Sequence, residues 1–544
     1  MGLIAENFRL IYVGVAAAIY FRPEYVIFNS RFITVIVSFT ILAVSRIIWQ
    51  IALYPAYFTP VKHIQTPDNR HWLRGNTKSI FLETPTELLK EWTKKLPNEG
   101  LLRYYIVFNM ERVILTSAKA LSELLVTKAY DFEKPKTVRQ SLRRVTGDGV
   151  LLAEGEEHKI QRKNLMPAFA YRHVKDLYPV FWNKSKEMVN LIQQDLDNRD
   201  SPDDNVIQVR NWASRATLDI IGVAGMDHDF DSLSHPANKL NQSYQRIFKP
   251  ASFGAKMLFV LAILTDSLTL AQKLPTSRNK DIQEGGDVIR NVARQMIQEK
   301  KQKMKNPNST TGVDIISVAM ANGTFDDENL VDQLMTFLGA GHETTATALQ
   351  WAVYALCKNP DVQTRLREEI RANLPSFSSD ESDSSIDAAQ IDSLPYLHAV
   401  CNEVLRFHPS VPNTVRVAAR DTTLVGKHIP KGTFFVISPE VVNHMEELWG
   451  PDANVFNPDR FMGQGKANTG GANSNYSFLT FLHGPRSCIG QGFAKAELAC
   501  LLAAVVGRFK FELKDPDAKL EVREGATISP KDGVIARFTP LEGW

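Results

Sequence analysis

The sequence predicts a mainly α-helical protein with a small β region, preceded by an N-terminal membrane helix. Long stretches with apolar residues at helical spacing fill most of the chain after residue 70, and short runs rich in β-branched and aromatic residues lie between them. An uncharged apolar stretch lies close to the N-terminus. Hydrophobic residues make up 44% of the chain and charged residues 23%, as in globular proteins with a large core.

The uncharged stretch reads "FITVIVSFTILAVS", and the chain stays mostly apolar beyond Arg46. A spanning helix needs about 20 apolar residues, and residues 32–54 provide them if Arg46 snorkels to the membrane surface. We therefore predict an uncleaved membrane anchor over residues 1–54, with a buried core helix as the alternative. Residues 10–21 form a shorter apolar segment: a second helix, an interfacial segment or a signal-like region.

Pro55, Pro60 and Pro67 follow the anchor. Proline lacks an amide donor and clashes with the preceding helical turn, so these residues predict that the helix ends and that residues 55–69 form a stiff connector. No later stretch has the length or the context of an interdomain linker. Residues 70–544 are therefore predicted to form one domain.

The predicted helices and strands follow from periodicity. Helical spacing is clearest over residues 176–198, 286–305, 327–358, 360–373, 394–407 and 490–506. Short β-rich runs predict strands over residues 104–108, 433–438 and 509–513.

Charge and cysteine usage exclude some classes of function. The net charge of +3, without a run of Lys and Arg, does not indicate nucleic-acid binding. The four cysteines, Cys357, Cys401, Cys488 and Cys500, have no metal-type C-x-x-C spacing. They are too few for a disulfide framework in a chain of this length, which favours a reducing compartment.

Cys488 has a setting that the other cysteines lack, in the stretch "FLHGPRSCIG", residues 481–490. It lies between glycines, just before a predicted helix whose N-terminus favours a thiolate over a thiol. The glycines let the backbone approach something flat and bulky, and Arg486 can pair with a carboxylate on that object. This combination suits the proximal face of a haem; a half-buried structural cysteine is the alternative.

A polar interruption, "AGHETT", occupies residues 340–345 of an otherwise apolar helical segment. Glycine and paired threonines are poor helix-interior residues, and a threonine hydroxyl can bond the carbonyl four residues earlier. A buried glutamate is costly unless it is paired or used. The polar face of an amphipathic helix, the alternative, would space polar residues three and four apart. Glu343 and Thr344 are thereby singled out, with Thr345 as a structural residue.

These stretches resemble the cytochrome P450 family, whose cysteine-ligand loop has five fixed positions. Here they are Phe481, Gly484, Arg486, Cys488 and Gly490. Residues 340–345 match the oxygen-binding groove of its distal helix. The resemblance covers most of residues 55–544, in the family's order of motifs, and is closest to membrane-bound fungal members. It implies a triangular helical domain with a small β region, haem b between two helices, and Cys488 as the axial ligand of the haem iron.

The resemblance also assigns residues outside these motifs. Glu403, Arg406 and Arg460 match a buried triad that fixes the cysteine loop, although an i,i+3 pair alone is usually a solvated surface bridge. Arg416 and Arg162 match arginines that contact the haem propionates. His158, where the family most often has tryptophan, could donate to a propionate too. The alternatives are a strand-surface arginine for Arg416 and a solvated helix face for His158.

The resemblance implies monooxygenation as the activity, with Glu343 and Thr344 binding water and supplying protons. No Gly-rich flavin or dinucleotide motif is found, so electrons would come from NADPH through a separate NADPH–cytochrome P450 reductase, with cytochrome b5 as a further candidate partner. Lys159, Lys163 and Lys495 are docking candidates or ordinary solubilising lysines. The resemblance implies a catalytic domain on the cytosolic side of the endoplasmic reticulum membrane.

The resemblance implies a lipophilic small molecule as the substrate. Because fungal members often modify terpenoid or polyketide metabolites, we predict a substrate of this class in specialised metabolism. The alternatives are fatty-acid or xenobiotic hydroxylation and, more remotely, a haem-thiolate isomerase or dehydratase that does not use O2. Residues 252–264 either dip into the bilayer as a substrate entry or pack in the core. By family position the pocket draws on residues 146–152, 333–338, 411–415 and 526–530.

Overall fold

The chain folds into two compact units. The computed structural model describes residues 11–544 except 12, 16, 19, 22–25, 27–29, 78–85, 201–204, 250, 265–267, 306–313, 322 and 378–385. The smaller unit comprises residues 1–133 and 414–437, and the larger unit comprises residues 134–413 and 438–544.

The described α-helices are numbered in chain order. They are α1 (Arg31–Ile48), α2 (Thr86–Lys95), α3 (Ala118–Ser122), α4 (Lys136–Thr146), α5 (Gly155–Leu165), α6 (Tyr171–Val174), α7 (Tyr178–Asp197), α8 (Val209–Met226), α9 (Lys239–Ile247), α10 (Phe253–Leu264), α11 (Leu268–Lys273), α12 (Ser277–Met304), α13 (Ile315–Ala321), α14 (Asp327–Lys358), α15 (Pro360–Asn373), α16 (Ala388–Asp392), α17 (Pro395–Phe407), α18 (Pro439–Val442), α19 (Glu446–Trp449) and α20 (Gln491–Arg508).

The described strands are short. They are β1 (Leu101–Ile106), β2 (Met110–Leu115), β3 (Phe132–Glu133), β4 (Val206–Gln208), β5 (Thr414–Ala418), β6 (Thr422–Leu424), β7 (Lys427–Ile429), β8 (Phe434–Ile437), β9 (Phe509–Leu513), β10 (Val522–Glu524), β11 (Ile528–Pro530) and β12 (Ile535–Pro540). Helical turns of other types are Trp49–Phe58 and Glu123–Thr127, which are π-helical, and the 3-10 turns Val107–Asn109, Ala129–Asp131, Met166–Phe169, Lys175–Leu177, Pro458–Phe461 and Gly484–Arg486.

The smaller unit carries a five-stranded sheet in the order β1-β2-β8-β5-β3. The pairing of β2 with β8 is parallel and the other pairings are antiparallel. Arg416 of β5 lies opposite Phe435 of β8. In the larger unit β4, β12 and β9 form a three-stranded sheet, and β10 pairs with β11 as an antiparallel hairpin.

The apolar N-terminal helix extends beyond its predicted end. α1 runs without a break into the π-helical segment Trp49–Phe58, and together they are long and apolar enough to span a membrane. The prediction that Pro55 ends the helix is wrong, since Pro55 lies inside the π-helical segment. The missing amide removes one hydrogen bond, and wider π winding accommodates such local irregularities. Residues 10–21 are only partly described, so a second span there stays a prediction.

The predicted helices agree with α7, α12, α14, α15, α17 and α20, and the predicted strands with β1, β8 and β9. The largest difference is at α12, which begins at Ser277 rather than near residue 286. Gly285 and Gly286 both lie within this helix. A Cβ on Gly286 would come 2.3 Å from the Arg144 carbonyl oxygen, so this glycine permits close packing against α4.

The core of the larger unit is built around α14, which is 32 residues long. Its first turn is capped by Asp326, whose carboxylate accepts the Asn329 N–H at 2.8 Å. The helix packs against α8 along much of its length and also against α20. Gly341 makes the α8 contact possible, because a Cβ there would lie 2.9 Å from Ile221 Cγ1.

Candidate active site

The cysteine loop is a tight turn that leads directly into α20. The Cys488 N–H donates to the Phe481 carbonyl at 2.8 Å, and the Ser487 N–H donates to the Gly484 carbonyl at 3.0 Å. Gly484 has a φ of 76° and Leu482 a φ of 56°, the left-handed region that is uncommon for leucine. Such strain persists where surrounding contacts fix the backbone, as at binding sites.

Cys488 is the one exposed residue among the four cysteines, all of which are described. Its thiol is accessible but lies deep among protein atoms, and this burial raises its pKa. The Gly490 N–H and the Arg162 guanidinium act in the opposite direction and lower the pKa. The amide at the start of α20 thus favours the thiolate, as expected, while burial acts against it. Ionisation would accompany metal binding, as at other thiolate sites.

Arg486 has a protein partner. Its Nη2 lies 2.5 Å from Glu154 Oε2, and the two side chains are 5% and 7% exposed. Glu154 also accepts the Lys134 N–H at 2.9 Å through its other oxygen. The sequence suggested a cofactor carboxylate for Arg486 and gave no indication of Glu154. This acid precedes α5, a position typical of an N-cap, yet its side chain makes no capping bond.

Arg162 reaches the cysteine loop from α5. Its guanidinium donates to the Ser487 carbonyl and, at 3.4 Å, to Ser487 Oγ. His158 lies one turn earlier in the same helix and is buried. The solvated helix face considered for His158 is therefore not observed. Arg416 is also buried, in β5 of the smaller unit, where its Nη1 donates to the Val415 carbonyl at 2.8 Å.

The three residues predicted as a triad come together. Arg406 and Glu403, both fully buried, form a two-pronged ion pair with N–O distances of 2.7 Å. Arg460 Nε lies 3.5 Å from the same carboxylate. The Asn457 N–H adds a hydrogen bond of 2.7 Å to Glu403. These additional hydrogen bonds offset the desolvation cost of burying the two charges.

Asn443, which the sequence did not single out, joins the triad to the cysteine loop. Its carbonyl accepts from Arg406 Nη1 at 2.7 Å, and its side-chain amide donates to the Arg406 carbonyl. The same side chain accepts the Leu479 N–H at 2.9 Å and donates to Thr480 Oγ1. The Thr480 hydroxyl in turn donates to the Leu405 carbonyl at 2.7 Å. The start of the loop is thus hydrogen-bonded to α17 on two sides.

The segment of α14 around residues 339–344 is unusually accessible. Ala340 is exposed, and Gly339, Gly341, Glu343 and Thr344 are half-buried, although residues 333–338 and 345–353 are all buried. The helix is continuous here, and the Thr344 hydroxyl donates to the Ala340 carbonyl at 2.8 Å. The threonine therefore uses the backbone bond predicted for it, without breaking the helix.

Glu343 faces the C-terminal hairpin. Its carboxylate lies 3.7 Å from Arg523 Nη2 and accepts the Thr527 hydroxyl at 3.3 Å. Burial raises the pKa of Glu343, while Arg523, Arg210 and the Thr527 hydrogen bond lower it. We expected a buried glutamate to be paired or used, and Glu343 is paired with Arg523. No feature of the sequence indicated this partner.

Aromatic side chains connect the cysteine loop with α14. A Cβ on Gly490 would lie 3.7 Å from the Phe169 ring, and Phe169 packs edge-on against Phe337 of α14 at 5.5 Å between ring centroids. α14 also packs against α20, which carries the fully buried Glu497. The loop, Phe169 and α14 therefore belong to one packed cluster.

The donor set of this cluster fits a haem. It offers one accessible thiol at a helix start, guanidinium groups beside it, and a stretch of glycine and alanine on α14 where a flat apolar ring can approach. A thiolate is one of the usual axial ligands of haem iron. No group of three or more His, Cys, Asp or Glu side chains suited to a bare metal ion occurs among the described residues.

Known proteins similar to this chain agree with that donor set. A family model described as Cytochrome P450 matches residues 65–536. The chain is 65% identical over 544 residues, all of both chains, to Cytochrome P450 monooxygenase sphH of Aspergillus fumigatus. It is 40% identical to Cytochrome P450 monooxygenase FSL4 of Gibberella zeae, over 90% of this chain and 91% of that one. It is also 40% identical to Cytochrome P450 monooxygenase FUM15 of Gibberella moniliformis, over 94% of each chain.

Proposed function

The chain belongs to the cytochrome P450 family, and from this premise we propose that it is a haem-thiolate monooxygenase of specialised metabolism. It would insert one atom of O2 into a lipophilic small molecule. The observation that carries the proposal is the setting of Cys488: an accessible thiol in a tight loop before α20, with Arg162 beside it.

Haem, when bound, supplies oxygen activation, and the protein supplies its ligand and its surroundings. Cys488 would be the ligand of the haem iron, in a loop that is held by Arg162 of α5 and by Asn443, the residue after α18. Arg486, Arg416 and His158 would bind the propionates, as the matching residues do in the family, and Phe481 and Gly490 would complete the loop. On the side of α14, Thr344 would hold a water through its hydroxyl and Glu343 would pass protons toward it.

Electrons would come from NADPH through a separate reductase, with cytochrome b5 as a second donor. Lys163, which is exposed, suits a docking role. Lys495 suits it less well, because its ammonium lies over the rings of Phe478 and Phe481 at 5.3 and 5.9 Å, and burial lowers its pKa to about 8. Lys159 pairs with Glu156 at 2.5 Å.

The proposed location is the endoplasmic reticulum membrane, with the catalytic part on the cytosolic side. The apolar helix Arg31–Phe58 supports an anchor, since only 6% of its most apolar window is buried. Helix α10 supports a second contact with the bilayer, because Phe253 and Phe259 are 68% and 39% exposed. A lipophilic substrate would partition into the membrane beside such a helix.

The substrate class proposed is a terpenoid or polyketide metabolite, supported by the fungal relatives. Fatty-acid or xenobiotic hydroxylation is the second candidate. The decisive experiment compares metabolites of a host with and without the chain, grown under 18O2. We expect a product heavier by one 18O atom, formed only with the reductase. A product lacking 18O would instead support an isomerase or dehydratase.

A spectroscopic experiment tests the ligand directly. The reduced protein with carbon monoxide should show the red-shifted Soret band of thiolate ligation. Cys488→Ser should abolish this band and Cys500→Ser should keep it, because Cys500 is fully buried within α20. A Cys488→Ser protein that retains the band would contradict the assignment.

A further inference from the structure

The β10–β11 hairpin places two side chains on the carboxylate of Glu343. Arg523 Nη2 of β10 lies 3.7 Å from Glu343 Oε1, and the Thr527 hydroxyl, at the hairpin turn, donates to the same oxygen at 3.3 Å. Glu343 and Arg523 side chains are 14% and 16% exposed. These contacts join residues 180 or more positions apart, so they depend on where the hairpin is held.

Several hydrogen bonds fix the hairpin against the helical core. Trp351 of α14 donates its indole N–H to the Ile528 carbonyl at 2.8 Å, and the Ile528 N–H donates to the Ser410 carbonyl at 2.9 Å. Ser410 in turn contacts α14, because its hydroxyl donates to the Thr344 carbonyl at 2.8 Å. β11 is therefore linked, through Ser410, to the turn of α14 that carries Glu343 and Thr344.

A second arginine approaches from α8. Arg210 donates to Ser529 Oγ at 3.3 Å and to the carbonyls of Pro530 and Lys531, so it braces β11. The charged groups around Glu343 are thus Arg523 on β10 and Arg210 on α8, and both are cations. Both guanidinium groups favour the ionised carboxylate and so oppose the effect of burial, which raises the pKa of Glu343.

We propose that Arg523 and Thr527 are positioning residues for Glu343, holding its carboxylate ionised and oriented beside Thr344. The proposal rests on the role proposed for Glu343 in passing protons. Arg523 supplies the opposite charge, and Thr527 fixes one carboxylate oxygen so that the other remains available. Arg210 acts through the hairpin, by holding the strand opposite Arg523.

An electrostatic role of Arg523 predicts a different titration of Glu343 from a packing role. If Arg523 keeps Glu343 ionised, its removal must raise the pH at which Glu343 loses its proton, because an opposite charge at this range typically lowers a carboxyl pKa by about one unit or more. A residue that only packs would alter stability and leave this titration in place.

Infrared spectroscopy of the full haem-loaded chain measures the titration without any substrate. The carboxyl C=O band of Glu343 is identified as the band that Glu343→Gln removes, and it is followed from pH 3 to 9. We expect Arg523→Gln to raise the midpoint by about one pH unit or more. Thr527→Val should raise it less, and Arg523→Lys should restore it toward the wild-type value.

Lys531→Gln is the matched control. Lys531 lies just beyond the same hairpin and pairs with Glu521 at 2.7 Å, far more exposed than Arg523. Its removal should leave the Glu343 midpoint unchanged. An unchanged midpoint in a folded Arg523→Gln protein, or equal shifts in Arg523→Gln and Lys531→Gln, would overturn the proposal. Since the measurement needs no oxygenation, a chain that proves not to be a monooxygenase leaves its outcome unaffected.

Discussion

The Thr344 hydroxyl donates to the Ala340 carbonyl at 2.8 Å and lies on the accessible part of α14. Its neighbour Thr345 makes the same kind of bond, to Gly341 at 3.4 Å, but is buried against α20. Two adjacent threonines with the same local bonding therefore differ in what their hydroxyls can reach. Only Thr344 has access to a water or a ligand.

This difference predicts the effect of Thr344→Val, which keeps the shape and removes the hydroxyl. Haem binding and the carbon monoxide spectrum should survive, because Thr344 is not proposed as a ligand. Product formed per NADPH oxidised should fall, by up to about 10²-fold, with released hydrogen peroxide or water in its place, since a positioned proton donor is lost. The measurement uses the substrate found by metabolite profiling.

Thr345→Val is the control, with the same atoms removed one residue along. It should leave the coupling of NADPH to product close to wild type, because the Thr345 side chain is buried and its hydroxyl bonds the Gly341 carbonyl. A well-folded Thr344→Val enzyme with unchanged coupling would contradict the proton-delivery role. Equal uncoupling by the two variants would do so as well.

His342 predicts a pH dependence of stability. Its side chain is fully buried, and burial lowers its pKa from 6.5 to about 4. The folded protein therefore keeps His342 neutral where the unfolded chain takes up a proton. Its contribution is present above pH 6.5 and is lost as the pH falls to about 4, at a cost of about 3 kcal/mol.

His342→Gln removes this titration. Urea unfolding at pH 7 and at pH 4.5 should show that the variant loses about 2 kcal/mol less than wild type between the two values. If His342→Gln loses as much free energy of unfolding as wild type between pH 7 and pH 4.5, groups other than His342 cause the destabilisation in acid.

At the scale of elements, periodicity and helix-boundary residues were enough to locate the long helices. α14 and α15 have their predicted bounds, because Asp326 caps the first and Pro360 starts the second. Periodicity missed the first turns of α12, which begins at Ser277 rather than near residue 286. The sequence could place Glu343 on a buried helix but could not supply Arg523, which comes from a hairpin 180 residues later.

In the cysteine loop, too, the sequence predicted local features but not their distant partners. The five fixed positions predicted the proposed ligand and the turn, because a turn depends on local backbone geometry. Glu154 and Asn443, which pair with Arg486 and hold the start of the loop, gave no local signal. Such partners depend on which elements pack together, and periodicity contains no information about that.

The triad between α17 and the turn Pro458–Phe461 should contribute strongly to stability. Glu403→Gln would leave Arg406, fully buried, without its charged partner, and losing one partner of such a pair costs about 3–5 kcal/mol. The free energy of unfolding in urea measures this. Arg365→Gln, which breaks an exposed pair with Asp459 at 2.8 Å, should cost less than about 1 kcal/mol. Similar losses in the two variants would contradict a structural triad.

At the scale of the whole molecule, the anchor is bonded to the smaller unit rather than merely tethered to it. Asn109 donates through its side-chain amide to the carbonyls of Ile51, at 2.7 Å, and Trp72, at 3.0 Å. The Tyr105 hydroxyl donates to the Pro55 carbonyl at 3.3 Å. The end of the apolar helix is therefore part of the folded unit, which the predicted boundary at residue 54 would cut through.

Two truncations separate membrane attachment from this docking. Chains of residues 49–544 and 55–544 both lack α1, so both should attach to membranes more weakly than the full chain, with α10 leaving some attachment. Both should bind haem, since the residues proposed to contact it begin at His158. The shorter chain also loses the Ile51 carbonyl that Asn109 bonds, and should be less stable by about 1 kcal/mol. Membrane sedimentation, the carbon monoxide spectrum and thermal unfolding measure the three properties. Either chain failing to bind haem would contradict a separable anchor, and equal stability of the two would contradict the docking role of Ile51.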